Sequence, residues 1–403
     1  MIPLKQALEA FGAGAAIGFG VEFFDGDGYR SGAEPPQFVL RFRTRRAELR
    51  TLLFGHVGLI ESYIDGGLEV EGDLGAAFRV GLQSSLTLQG MSNPLLRLRN
   101  AWHELRHSNA SLERAKENAR FHYALGTDFY RLWLDDPYLM YTCAYWKEGT
   151  RTLEEAQQNK MEHVCRKLRL APGEHIVDIG CGWGGFLRYA HERHGITGVG
   201  VNTTTEQVRD GQAELARLGL GGGLRLVEAD FREVQGQFDK CVSIGVLEHA
   251  GRGQLEAVVR AHADSLKPGG LGMLHFIGHV GRFETELWIR EHIFPGGWIP
   301  GLAETLEAME RCGLEILDVE NLRRNYALTL DEWAKRFESG WSRIQALDPA
   351  KFDERFRRKW RAYLVSCAEM FRSPAGSTHL FQILYCKGNA TTQVPMGRAY
   401  MYA

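Results

Sequence analysis

The pattern of apolar and polar positions divides this chain in two. From about Arg120 onward, short apolar runs alternate with longer amphipathic stretches. Runs at His175–Ile179, Gly198–Asn202, Leu224–Ala229, Lys240–Gly245, Leu271–Phe276, Glu315–Val319 and Leu380–Cys386 predict strands, with helices in most of the intervals. Thr152-Leu153-Glu154-Glu155 is a capping box, in which a hydroxyl and a carboxylate can satisfy the first free amides of a helix. Leu153, Ala156, Met161, Val164 and Leu168 then fall roughly on one face, and Pro172-Gly173 is expected to stop that helix. Strands alternating with helices predict an α/β fold with a parallel sheet covered on both faces. A mixed sheet allows one antiparallel member near the C-terminus.

The N-terminal quarter reads differently. Gln37–Phe42 and Leu68–Val70 read as short strands, the second bounded by Gly66-Gly67 and Gly72. Residues from about Leu82 to Asn118 are polar and helical in propensity, and read as a connector. A length of 403 residues predicts two domains, here a small one over 1–110 with the connector and a larger one over 111–403. A hydrophobic share of 44% excludes disorder across the bulk of the chain. With 48 Lys+Arg against 50 Asp+Glu, a global basic field for nucleic acid is absent, so no nucleic-acid partner is expected. Two local basic runs remain, one from Arg41 through Arg43, Arg45 and Arg46 to Arg50, the other at Arg355, Arg357, Arg358, Lys359 and Arg361. On charge alone a solvated face is the simpler explanation, and contact with anionic lipid headgroups is the functional one.

No run is apolar enough to cross a bilayer, and Ala10–Val21 lacks the basic start and aliphatic core of a signal peptide. The seven cysteines are widely spaced without a C-x-x-C, which argues against a disulfide framework and a zinc site. No metal is expected, and a reducing cytoplasm is the expected location.

The strongest local signal is Asp178-Ile179-Gly180-Cys181-Gly182-Trp183-Gly184-Gly185. A buried strand ends at Asp178, glycines allow a tight turn and close backbone approach, and a helix start beyond offers free amides. A lone glycine loop also marks dinucleotide sites, but D-I-G-C-G-W-G resembles motif I of S-adenosylmethionine-dependent methyltransferases. The second strand ends at Asn202, where such sites usually place an acid for the ribose hydroxyls.

Further segments follow the same direction: Tyr141-Thr142-Cys143-Ala144-Tyr145-Trp146, Gly245-Val246-Leu247-Glu248-His249, Leu274-His275-Phe276-Ile277-Gly278, Ile293-Phe294-Pro295-Gly296-Gly297, Asn325-Tyr326-Ala327-Leu328-Thr329-Leu330 and Tyr363 to Phe371. With the glycine loop they make residues 120 to 390 resemble the cyclopropane fatty acid synthase family, which includes the mycolic acid cyclopropane synthases. The resemblance implies a class I, Rossmann-like methyltransferase with a mostly parallel seven-stranded sheet and a small α+β N-terminal domain implicated in lipid binding. It implies methyl transfer from S-adenosylmethionine to a cis double bond of a phospholipid acyl chain, followed by ring closure, with a bound bicarbonate as base. A methylene- or methyl-branched product from the same scaffold is the alternative, and small-molecule methylation a remoter one. The expected location is cytoplasmic, peripherally associated with the inner face of the membrane. A homodimer would let two N-terminal domains engage that surface together.

The resemblance carries the bicarbonate cage onto Cys143, Glu248, His275, the backbone of Ile277, and Tyr326. It carries cofactor contacts onto Tyr141, Thr142, Asp178, Gly180, Cys181, Gly182, Trp183, Gly184, Asn202, Thr203, Gln207, Asp230 and Phe231. Cys367 matches a cysteine long suspected as nucleophile; the alkene itself attacks the methyl, so a structural role suits Cys367 better. Taken singly, each cage residue has an ordinary structural explanation, and only the set makes a site. Ala124 and Thr127 depart from the family's Asp and Asn, with an expected effect on a helix cap or a lid over the cofactor. Phe276 replaces a Thr and is expected to reshape the acyl channel. Trp288, Phe294 and Trp298 are candidates either for that channel or for plain core.

Overall fold

The computed structural model describes residues 2–12, 15–32, 35–83, 93–109, 111–123, 125–374 and 376–402. Ala124 lies outside them. Packing groups the chain into two compact units, Met1–Arg106 with Leu330–Gly376, and His107–Thr329 with Ser377–Ala403. The division expected from sequence, 1–110 against 111–403, has a single cut. The structure instead groups Leu330–Gly376 with the N-terminal elements. Nothing in the hydrophobic pattern marks this, because the boundary falls inside one continuous helix, Arg323–Ser339.

The first unit is built on four strands, β1 (Phe19–Glu22), β2 (Gly28–Ser31), β3 (Phe38–Phe42) and β4 (Leu68–Gly72), in the order β2-β1-β3-β4. β1 pairs parallel with β3, and the other pairs are antiparallel. Alternation makes β3 half-buried, with Phe38, Leu40 and Phe42 inside. Helices Arg45–Ile64 and Leu74–Gln83 pack against helix Glu354–Arg372. Much of both basic runs is internally paired: Arg41 with Glu22 at 2.6 Å, Arg50 with Asp65 at 2.7 Å, and Arg358 with Glu69 at 2.9 Å. β1 and β2 escape the sequence reading because four-residue strands carry too little period to detect.

The second unit holds seven strands: β5 (His175–Ile179), β6 (Thr197–Asn202), β7 (Leu224–Glu228), β8 (Phe238–Ile244), β9 (Leu266–His279), β10 (Leu314–Asn321) and β11 (Thr378–Lys387). Their order is β10-β11-β9-β8-β5-β6-β7. β5 to β9 pair in parallel, and β11 runs antiparallel to both neighbours. The period of two sorts side chains onto two cores. Ile176, Val242 and Met273 meet helices Leu153–Leu168 and Gly185–His194 on one face. Val177, Cys241 and Leu274 meet helix Leu255–Ser265 on the other. Successive strands leave β5 in opposite directions, so a crevice opens at the carboxyl end of β5. Among the described residues, no helix is long and apolar enough to cross a membrane.

Thr152 caps helix Leu153–Leu168 by accepting from the Glu155 amide at 3.2 Å. Glu155 turns back to the Arg151 amide, at 2.8 Å, rather than to Thr152. The helix stops before Pro172-Gly173, because Arg169 adopts a left-handed conformation and the Leu170 amide closes on the Cys165 carbonyl.

Candidate active site

The glycine loop follows β5 directly. Gly180 has φ of 81°, and a Cβ there would lie 2.0 Å from Val246 Cγ2, so any other residue would be strained at this φ and would have to push the Val246 side chain aside. The Gly180 and Cys181 amides donate to the Val201 carbonyl at 2.8 and 3.1 Å, which locks the loop onto the end of β6. Gly182, with φ of 56°, faces open space where a ligand can approach the backbone. Asn202 gathers its neighbours: its side-chain nitrogen donates to Gln207 Oε1 at 2.8 Å and to the Gly182 carbonyl at 3.4 Å, and its oxygen accepts from the Thr203 amide. Trp183 donates its indole N–H to Thr127 Oγ1 at 3.0 Å, and Thr127 donates to Asp210. Thr127 thus pins the loop tryptophan and makes no side-chain helix cap. Tyr141 stacks on His122 and meets its Nε2 at 3.0 Å.

Asp178 is buried beneath this loop, and burial raises its pKa to about 7 against an opposing pull from Lys160. Asp230 caps the turn Phe231–Glu233, and both its oxygens accept from Arg232, with Arg232 also lying over the Phe231 ring. The Asp230 carboxylate is therefore engaged within its own turn.

The proposed cage residues come from four separate stretches. Cys143 and Leu380, with Leu322, form a small buried apolar cluster against which Ile277 and Tyr326 pack. The register explains why. Ile277 pairs with Leu380 and His275 with Gln382, so His275 and Ile277 share one face of β9. The Ile277 amide donates to Glu248 Oε1 at 3.3 Å, which joins β9 to the turn after β8. The Glu248 carbonyl accepts from the Trp298 amide at 2.8 Å. Two residues of helix Arg323–Ser339 fix Tyr326 relative to Cys143. Asn325 accepts from the Trp146 amide at 2.7 Å, and Thr329 accepts from the Ala144 amide at 3.1 Å.

Burial dominates the electrostatics. Glu248 is raised to about 7, only partly offset by its backbone hydrogen bonds. His275 is held far below its ordinary value, so its ring is neutral, and burial also pushes the Cys143 thiol up. Glu248 Oε2 and His275 Nε2 are both buried with no hydrogen-bond partner. Gln382 Nε2 donates to His275 Nδ1 at 3.0 Å, an arrangement that leaves the ring proton on Nε2. The site thus presents one unsatisfied acceptor and one unsatisfied donor, a match for a small anion with a hydroxyl face and a carboxylate face.

The structure places three further groups of residues. Phe276 points to the other face of β9, where it packs on Phe381 within the second core. It therefore does not reshape the His275 side, because the strand period carries it away. Phe294 lies against His122 at 4.1 Å and His249 at 5.0 Å, so it joins the site's aromatic wall, while Trp288 is almost fully buried. Cys367 is half-buried on helix Glu354–Arg372, within the first compact unit.

The sequence reading passes over Gln157, Lys160 and Gln382. Their signal was a polar residue inside an apolar pattern: Gln157 and Lys160 interrupt the buried face of Leu153–Leu168, and Gln382 sits alone in an apolar strand. Buried polar groups of this kind need partners, and the partners here, Thr142 and His275, are candidate site residues.

A family model described as mycolic acid cyclopropane synthetase matches residues 110–383. The chain belongs to this family. It is a methyltransferase of the cyclopropane synthase type that depends on S-adenosylmethionine, on the class I fold described above. A probable fatty acid methyltransferase from Pseudomonas putida is 36% identical over 352 residues, 85% of each chain. The cyclopropane-fatty-acyl-phospholipid synthase of Escherichia coli K12 is 34% identical over 352 residues, 84% of this chain and 85% of that one. The crystal structure of the mycolic acid cyclopropane synthase CmaA1 complexed with SAH and CTAB aligns with a TM-score of 0.62 at 30% identity, covering 68% of this chain and 98% of that one.

Proposed function

We propose that the enzyme transfers the methyl of S-adenosylmethionine to a cis double bond in a phospholipid acyl chain and closes a cyclopropane ring, with bicarbonate as the base. The observation that carries this reading is the pair of buried, unpartnered atoms, Glu248 Oε2 and His275 Nε2; Glu248 is tied by its other oxygen to the Ile277 amide, and Ile277 shares a face of β9 with His275. Glu248 would accept the bicarbonate hydroxyl, while the His275 ring N–H and the Tyr326 hydroxyl would donate to its oxygens. S-adenosylmethionine, when bound, supplies an electrophilic methyl. Cys143, Ile277, Leu322 and Leu380 keep the neighbourhood dry, so a carboxylate there acts on developing positive charge at low dielectric. The similarity to the Escherichia coli cyclopropane-fatty-acyl-phospholipid synthase supports a phospholipid acyl substrate.

The test uses methyl-labelled S-adenosylmethionine, bicarbonate and vesicles of cis-unsaturated phospholipid, with acyl chains read by fragmentation mass spectrometry. A labelled ring at the former double bond is expected. A labelled branch without a ring, or no label in lipid, overturns the reading.

The substrate also implies contact with a membrane surface, and the first unit offers features suited to it. Leu95, Leu98, Trp102 and Leu105 are exposed on helix Pro94–His107 and fall on one stripe, with Leu98 at 71% and Leu105 at 79% exposure. Leu49, Leu52 and Leu53 are exposed on helix Arg45–Ile64, and the Asn93 side chain donates to the Leu53 carbonyl at 2.7 Å. Arg45 and Arg46, both exposed, stand one turn before Leu49. Apolar stripes edged by guanidinium groups suit an anionic bilayer surface. Leu98→Glu with Trp102→Glu is expected to weaken sedimentation with anionic vesicles by at least about tenfold. Undiminished sedimentation would exclude this face.

A further inference from the structure

The stretch Met140–Tyr145 carries Tyr141, Thr142 and Cys143, yet it has no regular secondary structure. Helix Leu153–Leu168 holds it in place. The Ala156 carbonyl accepts from the Tyr145 amide at 3.0 Å, and Gln157 Nε2 donates to the Met140 and Thr142 carbonyls at 3.1 and 2.8 Å. One turn on, Lys160 Nζ donates to Thr142 Oγ1 at 2.6 Å.

Lys160 has no exposed surface. A buried ammonium is costly unless charged or polar groups face it. Here those groups are Asp135, Asp178 and the Cys143 thiol, with the His275 ring also within its field. Asp135 is itself buried and accepts from the Met140 amide at 2.7 Å. The lysine therefore lies where the end of β5, the cofactor-side hydroxyl and the cage thiol converge. Solvation cannot explain its place there.

An ammonium has donors and no lone pair. Thr142 Oγ1 must therefore accept from Lys160, and its own O–H must be donated elsewhere. We propose that Lys160 is a positioning residue that fixes the Thr142 hydroxyl as a donor into the cofactor pocket, aimed at the carboxylate of the amino-acid part of S-adenosylmethionine. This rests on the cofactor reading given by the family. The carboxylate is the cofactor's one anionic group, and a hydroxyl backed by a cation favours an anionic acceptor. Lys160 touches neither the cofactor nor the reacting carbons and acts through Thr142.

The experiment is calorimetric titration of the full chain with S-adenosylhomocysteine and with methylthioadenosine, which lacks the amino-acid part. Lys160→Met keeps the length of the side chain and removes its donors. It is expected to raise the Kd for S-adenosylhomocysteine about tenfold and to leave that for methylthioadenosine unchanged. Thr142→Val should do the same, Thr142→Ser should bind as wild type, and the Lys160→Met/Thr142→Val double variant should be no worse than either single one. Unchanged S-adenosylhomocysteine affinity in Lys160→Met, equal weakening of both ligands, or additive losses would overturn the proposal. If Lys160→Met does not fold, Thr142→Val and Thr142→Ser decide it, and full affinity in Thr142→Val overturns it. A wild-type chain that binds neither compound overturns the cofactor reading as well.

Discussion

Glu248→Gln is expected to lower turnover by at least about a hundredfold while making the protein more stable at pH 8. Glu248 is buried, its Oε2 has no partner, and burial raises its pKa to about 7. An unfolded carboxylate titrates near 4.5, so between that value and about 7 the folded state takes up a proton that the unfolded state releases. The stability of the folded chain is greatest below the unfolded value and falls as pH rises through about 7. Above that, a charged Glu248 costs on the order of 3 kcal/mol, which a neutral Gln avoids. Gln keeps an oxygen for the Ile277 amide but loses the charge that would accept the bicarbonate hydroxyl. By the same logic, wild-type turnover at saturating bicarbonate should fall as pH drops through about 7. Urea unfolding at pH 5 and pH 8, beside product formation, checks both halves. A variant that keeps its turnover and is less stable at both pH values would show Glu248 to be structural.

Much of this was legible in the sequence, for a physical reason. β5 is predicted residue for residue because a buried parallel strand is a short apolar run ended by a glycine turn. β9 is underestimated because Lys267, Gly269 and Gly270 break the apolar run that the backbone continues through. The proposed cage can be read only as a set of motifs. No periodicity joins Cys143 to Tyr326, and what joins them is the strand register of β9 with β11 and the side chains of Asn325 and Thr329. The face of Phe276 depends on the register of a single residue, and its neighbour His275 turns the other way, onto Gln382. Least legible was Leu330–Gly376, since membership in a compact unit is decided by long-range packing that local pattern does not encode.

The same helix that supports Thr142 is anchored at its far end by a buried ionic cluster, and Glu320→Gln is expected to cost the second unit about 3 kcal/mol. Lys167, with no exposed surface, donates to Glu320 at 2.6 Å, and its remaining carboxylate neighbour, Asp318, stands at 3.6 Å. His163 also meets Glu320 at 2.6 Å, and its ring stacks on Tyr145 at 4.7 Å. Burial by itself would raise the Glu320 pKa, but the His163 hydrogen bond and the Lys167 charge outweigh it and hold it near 2. Because the folded value lies below the unfolded one, this stabilisation is fully present above about 4.5 and is lost as pH falls through about 2. Removing the carboxylate at neutral pH leaves Lys167 facing Asp318, which Arg398 already engages at 2.6 Å. A melting temperature lowered by roughly 10 °C at pH 7 follows for a unit of this size, with the gap to wild type narrowing as the pH is lowered toward 2. Glu320→Leu with Lys167→Met should recover most of the loss, because the desolvated charge goes with its partner. Calorimetry of the three proteins checks this, and a Glu320→Gln protein that melts with wild type would mean that Asp318 alone suffices for Lys167. Since His163 stacks on Tyr145, which packs against the Cys143 cluster, the loss should also reach the site. Turnover of Glu320→Gln should then fall at temperatures below its melting point, where the wild-type cage is still held.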